Sequence, residues 1–255
     1  MEMLRRRIAD VPARSVGPSR LSLAALASEP PDTEPPPTAP SRVADEPDAR
    51  PAATLRTLPV PGPLAELIPH GGLVRGSTVQ VSGVASLQAG LVAAVTGSGG
   101  WAALVGRPSL GLLAAVEMGA QLRRCALIPD APDPVAVAAI LVDGLDLVVM
   151  SLGGIDVPLS RARAVAARAR RNGTVLVVTE GRWPTVDLHL DARVASYAGL
   201  DEPARRITGI SLDVEATARG RQTRRARIDV RGSQGAVSWT TADHAATPAA
   251  LKVAR

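Results

Sequence analysis

The sequence predicts an α/β domain in which helices cover both faces of a mostly parallel β-sheet and an antiparallel hairpin forms the C-terminal edge. Between Thr78 and Thr179, short apolar runs alternate with helical patterns. Strands that are buried on both faces read as such continuous runs, and their alternation with helices favours parallel pairing. After Thr185 apolar and polar residues alternate, which is typical of antiparallel strands.

The length and composition favour one domain with an N-terminal extension. A chain of 255 residues, 46% of them hydrophobic, can bury one sizeable core. Residues 29–53 are dense in Pro, Asp and Glu and cannot bury enough apolar surface to fold, so we expect a disordered linker. The predicted organisation is short helices and a Pro-rich linker over 1–57, an α/β domain over 58–237 and a tail over 238–255.

The elements of the parallel part follow from apolar runs and helix boundary signals. Asp133 followed by Pro134 indicates a helix start, because Asp caps the first N–H groups and Pro suits the first turn. Ser160 is predicted to cap the next helix, which ends at Asn172 and Gly173. The predicted strands are Thr78–Ser82, Trp101–Val105, Arg124–Ile128, Leu145–Ser151 and Thr174–Thr179, and the preceding or intervening helices are Leu87–Val95, Leu110–Leu122 and Val135–Leu141. The antiparallel strands are predicted over Thr185–Tyr197, Ile207–Ala216 and Arg224–Arg231, with a hairpin turn before the last.

Residues 72–94 lay out the strand, loop and helix of a phosphate-binding P-loop, G-x-x-x-x-G-K-[ST]. Counted from Gly83, the last three positions of that motif hold Gln88, Ala89 and Gly90. In a working loop, backbone N–H groups cradle the phosphates, Lys neutralises them and the hydroxyl holds Mg²⁺. The pattern therefore predicts a cradle that keeps its backbone donors but has lost the charge and the metal ligand.

With these pieces in order, the chain resembles the RecA-like recombinase core from about Leu58 to Val237. The resemblance is carried by GGLVRGSTVQVSG at 71–83, by GLDLVVMSL at 144–152 and by the strand TVLVVTE at 174–180. It implies a RecA-like fold with the final hairpin at its edge.

The resemblance also assigns family roles to single positions. The Walker B Asp falls on Ser151, the sensor Gln on Glu180 and the catalytic Glu on Arg107. Together with Ala89 and Gly90, these changes remove the charged groups that phosphoryl transfer requires. The resemblance therefore implies a pseudo-ATPase with no catalytic residue, no cofactor and no metal. An ATPase with displaced catalytic groups is the alternative.

Short segments at 153–159 and 181–186 stand where a recombinase has its DNA-binding loops. With these short segments, the changed P-loop and the N-terminal extension, the chain resembles ImuA-type mutasome accessory proteins, and most closely the actinobacterial ImuA′ group. The resemblance implies an adaptor in SOS-induced translesion synthesis, cytoplasmic and nucleoid-associated after DNA damage. The implied partners are an ImuB-like inactive Y-family protein, an error-prone C-family DNA polymerase complex and RecA. A SulA-like cell-division inhibitor and a RecA-like regulator of single-stranded DNA or RecA are the alternatives.

Two arginine clusters and a net charge of +5 make weak, sequence-independent contact with DNA a further candidate activity. The clusters lie on the helix after Ser160 and around the last hairpin, where they also fit ordinary solvated surfaces. The candidate contact residues are Arg161, Arg168, Arg171, Arg221, Arg224 and Arg225.

The region after the hairpin supplies the candidate partner-binding residues, Trp239 and Leu251. Trp is enriched in binding hot spots, although packing in the core or at its rim is the commoner role. The three His residues are far apart without ligand spacing, so the sequence predicts no metal site. No apolar run is long enough to span a membrane.

Overall fold

The computed structural model describes residues 56–106, 110–200 and 206–242, which form one large sheet flanked by helices and a small two-stranded pair. The strands are β1 (Thr57–Leu58), β2 (Leu73–Val74), β3 (Thr78–Gly83), β4 (Ala102–Val105), β5 (Cys125–Ile128), β6 (Leu147–Ser151), β7 (Val175–Thr179), β8 (Leu188–Ala198), β9 (Gly209–Ala218), β10 (Arg224–Ser233) and β11 (Ala236–Thr241). The helices are α1 (Gly62–Leu67), α2 (Ala85–Gly97), α3 (Leu112–Glu117), α4 (Pro134–Leu141) and α5 (Leu159–Asn172), with short 3-10 turns at Pro69–Gly71 and Leu122–Arg124.

The large sheet has nine strands in the order β11-β10-β9-β8-β3-β7-β6-β4-β5. The six strands from β8 to β5 are parallel, and β8 to β11 pair antiparallel. The prediction of a mostly parallel sheet with an antiparallel C-terminal edge is therefore confirmed. Strand β3, which leads into α2, lies in the interior, and β7 separates it from β6.

Helices cover both faces of the sheet, as predicted, because alternate residues of the parallel strands enter two separate cores. Val79 and Val81 pack with the apolar residues of α1 and α2 on one face. Val148 and Met150 pack with α4 and α5 on the other. The chain has no Phe, so Val, Leu and Ala fill these layers.

Some of the helix boundaries follow their sequence signals closely. The carboxylate of Asp133 accepts a hydrogen bond from the Ala136 N–H at 3.1 Å, and Pro134 opens α4. Gly173 ends α5 with φ of 71°, the left-handed conformation expected after Asn172. The predicted Ser160 cap is wrong, because α5 begins at Leu159 and Pro158 occupies the cap position without a side-chain bond. No helix in the described ranges is long and apolar enough to cross a membrane.

Two elements differ from the prediction in length or presence. The predicted helix over Leu110–Leu122 is shortened to α3, because Gly119 takes φ of 99°. Strand β11, which was not predicted, pairs with β10 and continues the sheet beyond Val237, the expected end of the domain. Its side chains are exposed or half-buried, so the apolar signal of a core strand is weak.

Several predictions fall on residues outside the described ranges. They concern the N-terminal helices and Pro-rich linker, Arg107 at the position of the catalytic Glu, and Leu251 in the tail. These stay predictions.

Candidate functional site

The connection between β3 and α2 is the place where the sequence predicts a P-loop cradle. Strand β3 ends at Gly83 and α2 begins at Ala85, so Val84 alone joins them. Gly83 has φ of 86°, and a Cβ there would run into the backbone oxygen of Ala192 on β8. The motif needs a four-residue loop at this point, but three of those four residues, Ala85, Ser86 and Leu87, already belong to the first turn of α2. The expectation of a retained open cradle is therefore corrected.

The three positions that replace the Gly, Lys and hydroxyl residue of the motif are all buried in α2. Ala89 packs with small residues of α2 and α3. Gly90 faces Trp239 of β11, whose Cζ2 atom would lie 2.6 Å from a Cβ at that position, and Pro61 stands 3.1 Å from it. The C-terminal edge of the sheet therefore packs directly on the helix that a P-loop would open.

Trp239, a predicted partner-binding residue, is half-buried by this contact. Its indole Nε1 is buried and has no acceptor among the described residues. Only part of the ring remains for a partner. The residue thus contributes to the internal packing between β11 and α2.

The positions assigned to the Walker B Asp and the sensor Gln lie together at the carboxyl ends of β6 and β7. The Ser151 hydroxyl donates a hydrogen bond to Oε2 of Glu180 at 2.6 Å. On β3, the strand next to β7 in the sheet, the Ser82 hydroxyl donates a hydrogen bond to Oδ1 of Asp191 at 2.6 Å. Arg193 completes that second group at 3.1 Å from Asp191.

This end of the sheet is where open α/β folds usually bind their ligands. In the described ranges, the side chains that the resemblance assigns to nucleotide chemistry bond to one another or are buried. Two of the polar groups present, Glu180 and Asp191, are carboxylates, which repel rather than attract phosphate oxygens. The described residues at this end of the sheet include no lysine.

A larger cavity lies at the opposite, amino end of β3 and β8, and a smaller one extends from there along α5 to Leu159 and Trp183. They measure about 400 Å³ and about 240 Å³, and both are lined by Arg170, Asp187 and Arg219. The further basic residues of their walls are His70, Arg75 and Arg221 in the larger cavity and Arg163 in the smaller. We call this surface the arginine groove and define it by Arg75, Arg163, Arg170, Arg219 and Arg221.

Close backbone contacts hold the walls of the arginine groove together. Gly76, in the turn before β3, has φ of 81°, and a Cβ there would lie 2.9 Å from the Cα of Arg170. The last turn of α5 therefore packs against this turn without an intervening side chain. The N–H of Arg219 donates to the Asp187 carbonyl at 2.9 Å, and the Asp187 carboxylate accepts from the Thr78 N–H at 2.9 Å.

The arginines of the groove differ in their pairing. Arg75 forms an ion pair with Asp146 at 2.8 Å. Burial opposes ionisation of Asp146, but the hydrogen bonds from the Trp101 N–H and from Arg75 outweigh it, so the pKa of Asp146 lies below its usual value. The groove's other members, Arg163, Arg170, Arg219 and Arg221, form no ion pair within the part of the chain that the structure describes.

Helix α5 carries arginines on two faces with different roles. Arg161 pairs with Asp133, and Arg168 pairs through Nε with Asp143 at 2.6 Å, so these two tie α5 to the ends of α4. The bond from Arg161, followed by that from the Ala136 N–H, lowers the pKa of Asp133. The bond from Arg168 likewise lowers the pKa of Asp143.

These ion pairs show which of the predicted nucleic-acid contact residues are already engaged within the protein. Arg161 and Arg168 are engaged in joining two helices, and Arg225 pairs with Glu215 at 2.9 Å. Arg221 lies in the arginine groove. Arg171 and Arg224 are exposed.

Arg163, Arg170 and Arg219 belong to the two arginine clusters of the sequence, but neither they nor Arg75 is among the predicted contact residues. One local signal was available for α5, because Arg161 and Arg168 share one helix face and Arg163 and Arg170 another, each pair seven residues apart.

Comparison with known proteins places these features in a family. The family described as "MT3502 N-terminal domain" matches residues 66–185, which include the β3–α2 connection and α5. The uncharacterized protein Rv3395c of Mycobacterium tuberculosis (strain ATCC 25618 / H37Rv) is 48% identical over 169 residues, covering 62% of this chain and 83% of that protein. At this identity and coverage, the chain belongs to the family of Rv3395c.

Proposed function

We propose that this protein is a non-catalytic, RecA-like adaptor of an SOS-induced translesion-synthesis mutasome. It binds an ImuB-like inactive Y-family protein and supports an error-prone C-family DNA polymerase in damage-induced mutagenesis, associating with the nucleoid after DNA damage. RecA is a further proposed partner. The observation that carries the proposal is the connection from Gly83 to α2, where a single residue stands in place of a phosphate-binding loop.

The chemistry of the sequence supports the absence of ATP hydrolysis. Phosphoryl transfer relies on a lysine and a metal to neutralise the charge on the phosphates. The only lysine of the chain is Lys252, far in sequence from Ala89. Gly90, at the position of the Mg²⁺-binding hydroxyl, has no room for a side chain beside Trp239.

The sheet supports the RecA-like part of the proposal. Strand β3 leads into α2, and β7 lies between β3 and the strand β6 that ends at the Walker B position, Ser151. The antiparallel strands follow β8 on the side away from β6. The resemblance implies such a mostly parallel core with antiparallel strands at its C-terminal edge.

An edge strand supports the adaptor part. Strand β5 ends the described sheet and pairs on one side only, with β4. It exposes Leu127, whose surface is 49% accessible, together with unpaired backbone groups. Edges of this kind accept strands from partner proteins. The tail that contains Leu251 is proposed as a second partner-binding segment.

The first test measures nucleotide binding by thermal unfolding. We expect ATP with Mg²⁺ to leave the melting temperature unchanged, and the Ala89→Lys variant to show no ATP turnover. A ligand at about a hundred times its dissociation constant stabilises the native state by about 2.7 kcal/mol, several degrees in melting temperature. A reproducible shift of that size with millimolar ATP contradicts the proposal.

The second test addresses the partner. A chain truncated after Ala242 keeps every described strand and should melt cooperatively, but it should recover less of the ImuB-like protein in a pull-down than the full chain does. A deletion strain should lose damage-induced mutagenesis while dividing normally. A filamentation defect without a mutagenesis defect contradicts the adaptor and supports the division-inhibitor alternative.

A further inference from the structure

We propose that the arginine groove binds the phosphodiester backbone of single-stranded nucleic acid, independently of sequence. The groove borders the amino ends of β3 and β8, away from the P-loop position, and includes four arginines outside the predicted contact set, Arg75, Arg163, Arg170 and Arg219. The inference does not depend on the mutasome role.

The first argument is charge. Of the five arginines, only Arg75 is ion-paired among the described residues. Asp187 is the acidic residue in the walls of both cavities, and its carboxylate is engaged by the Thr78 N–H. Several unpaired guanidinium groups around one depression repel one another and attract a polyanion. Their planar fork matches the oxygens of a phosphate.

The second argument is extent. Arg163 and Arg170 lie two turns apart on one face of α5, about 10 Å along the helix axis. A stacked strand advances about 3.4 Å per nucleotide, so this distance corresponds to about three nucleotides. Arg170 and Arg219 line both cavities, and Arg221 extends the larger one onto the β9–β10 turn. Charges spread over this extent suit a chain of phosphates better than a single phosphate ion.

The third argument is a donor without an acceptor. Trp183 lines the smaller cavity and is only 5% exposed. Its indole Nε1 is buried and has no hydrogen-bond partner among the described residues. A buried N–H without an acceptor beside these arginines calls for a partner that the described residues do not supply. The buried ring offers no face for a base to stack on, so we expect contacts to phosphates that are independent of sequence.

The sheet geometry disfavours an acidic peptide as the ligand. Strand β3 is paired on both sides, with β7 and β8, and β8 is paired with β3 and β9. Among the described residues, the strands of the large sheet that border the groove are paired on both sides, and β2, which borders the larger cavity with one free edge, has only two residues. A peptide therefore finds no strand edge there long enough for a series of main-chain hydrogen bonds. It would be held by charge alone, without the regular phosphate spacing. A rigid duplex is also too wide to enter cavities of this size, although a single strand can follow them.

The test measures binding of the full chain to a fluorescent single-stranded oligonucleotide of mixed sequence by anisotropy, over a range of salt concentrations. A duplex of the same sequence and an oligoglutamate peptide serve as competing ligands. We expect the single strand to bind most tightly. Equal or tighter binding of the peptide or of the duplex overturns the proposal.

Matched variants on α5 locate the site. Arg163→Gln with Arg170→Gln removes two charges from the groove face, and Arg161→Gln with Arg168→Gln removes two from the face that pairs with α4. The groove variant should bind at least about tenfold more weakly. Its log–log salt slope should fall by about 1.4, which is about 0.7 for each lost phosphate contact. The control variant should keep its slope and affinity.

A second groove variant separates a loss of binding from a loss of folding. Arg219→Gln with Arg221→Gln alters exposed residues of the β9–β10 turn and should weaken binding in the same way while the melting temperature stays near that of the wild type. The proposal is overturned if the folded groove variants bind as tightly as the wild type. It is also overturned if the control variant loses as much affinity as they do.

Discussion

The two ends of the parallel sheet differ in how they use their polar side chains. At the carboxyl end, Ser151 bonds to Glu180 and Ser82 bonds to Asp191, so polar groups satisfy one another. At the amino end, arginines border open cavities. The resemblance to RecA-like proteins directs attention to the first end, but the unsatisfied charge lies at the second. The fold alone therefore does not locate the site; the side chains do.

The polar side chains at the two ends of the sheet should also differ in how they contribute to the stability of the fold. A hydrogen-bonded pair such as Ser151 and Glu180 stabilises the carboxyl end of the sheet. Unpaired guanidinium groups in the arginine groove repel one another and contribute nothing to folding, so a ligand is the simplest reason for their arrangement. Variants at the carboxyl end should therefore change the stability of the fold, and variants in the arginine groove should change ligand binding.

The largest expected effect is at Gly83, where β3 turns into α2. A Gly83→Ala substitution places a Cβ against the Ala192 backbone oxygen and strains a residue with φ of 86°. We expect a loss of about 3 kcal/mol in the free energy of unfolding, measured by denaturant titration. Gly220→Ala, at another glycine with positive φ but open space around it, is the control and should cost clearly less. A near-neutral Gly83→Ala variant would mean that the connection is looser than described.

An intermediate effect is expected where β11 covers α2. A Gly90→Ser substitution brings its Cβ within 2.6 Å of Trp239 Cζ2, and overpacking of this kind costs about 1–3 kcal/mol. Trp239→Leu leaves more space, so the double variant should lose less stability than the sum of the single losses. A double-mutant cycle on the free energy of unfolding measures this coupling, and simple additivity would show that the two residues do not touch.

The smallest expected effect is on the pH dependence of stability, which should differ between variants on the two arginine-bearing faces of α5. Asp133 and Asp143 have pKa values below their usual range because of bonds from Arg161 and Arg168. As the pH falls, the unfolded chain takes up protons first, so the stability these groups give above an unfolded pKa of about 3.9 is lost in acid.

Arg161→Gln with Arg168→Gln should flatten this acid loss of stability and lower the melting temperature at neutral pH by about 1–2 °C, since exposed pairs contribute little. Arg163→Gln with Arg170→Gln should leave the pH profile unchanged because those arginines have no carboxylate partner in the described ranges. Melting curves from neutral pH to about pH 3 provide the measurement. Identical acid profiles for the two variants would remove the distinction between the faces.

Much of the fold could be predicted because its signals are local. The runs that became β6 and β7 are apolar up to a last hydroxyl residue, Ser151 or Thr179, and Asp133 with Pro134 marks the start of α4. Strand β11 could not be predicted in this way, because its exposed, half-polar sequence is stabilised by pairing with β10 rather than by its own pattern. The short β3–α2 connection was also missed, since the spacing of the motif suggested a loop that helix formation has absorbed.

The candidate site was less predictable because its residues meet only in three dimensions. Arg75 precedes β3, Arg170 ends α5 and Arg219 follows β9, so no local spacing links them. The cluster on α5 was visible in the sequence, but only the face with Arg161 and Arg168 is ion-paired within the described ranges. Only the positions of Asp133 and Asp143 on a neighbouring helix reveal which arginines are neutralised.

The contact between Gly90 and Trp239 also restricts how this chain can evolve. A side chain at position 90 is tolerated only if Trp239 is replaced or moves, and either change alone lowers stability. The two positions therefore have to change together, and relatives that keep a large residue at the equivalent of Trp239 should also keep glycine at the equivalent of position 90.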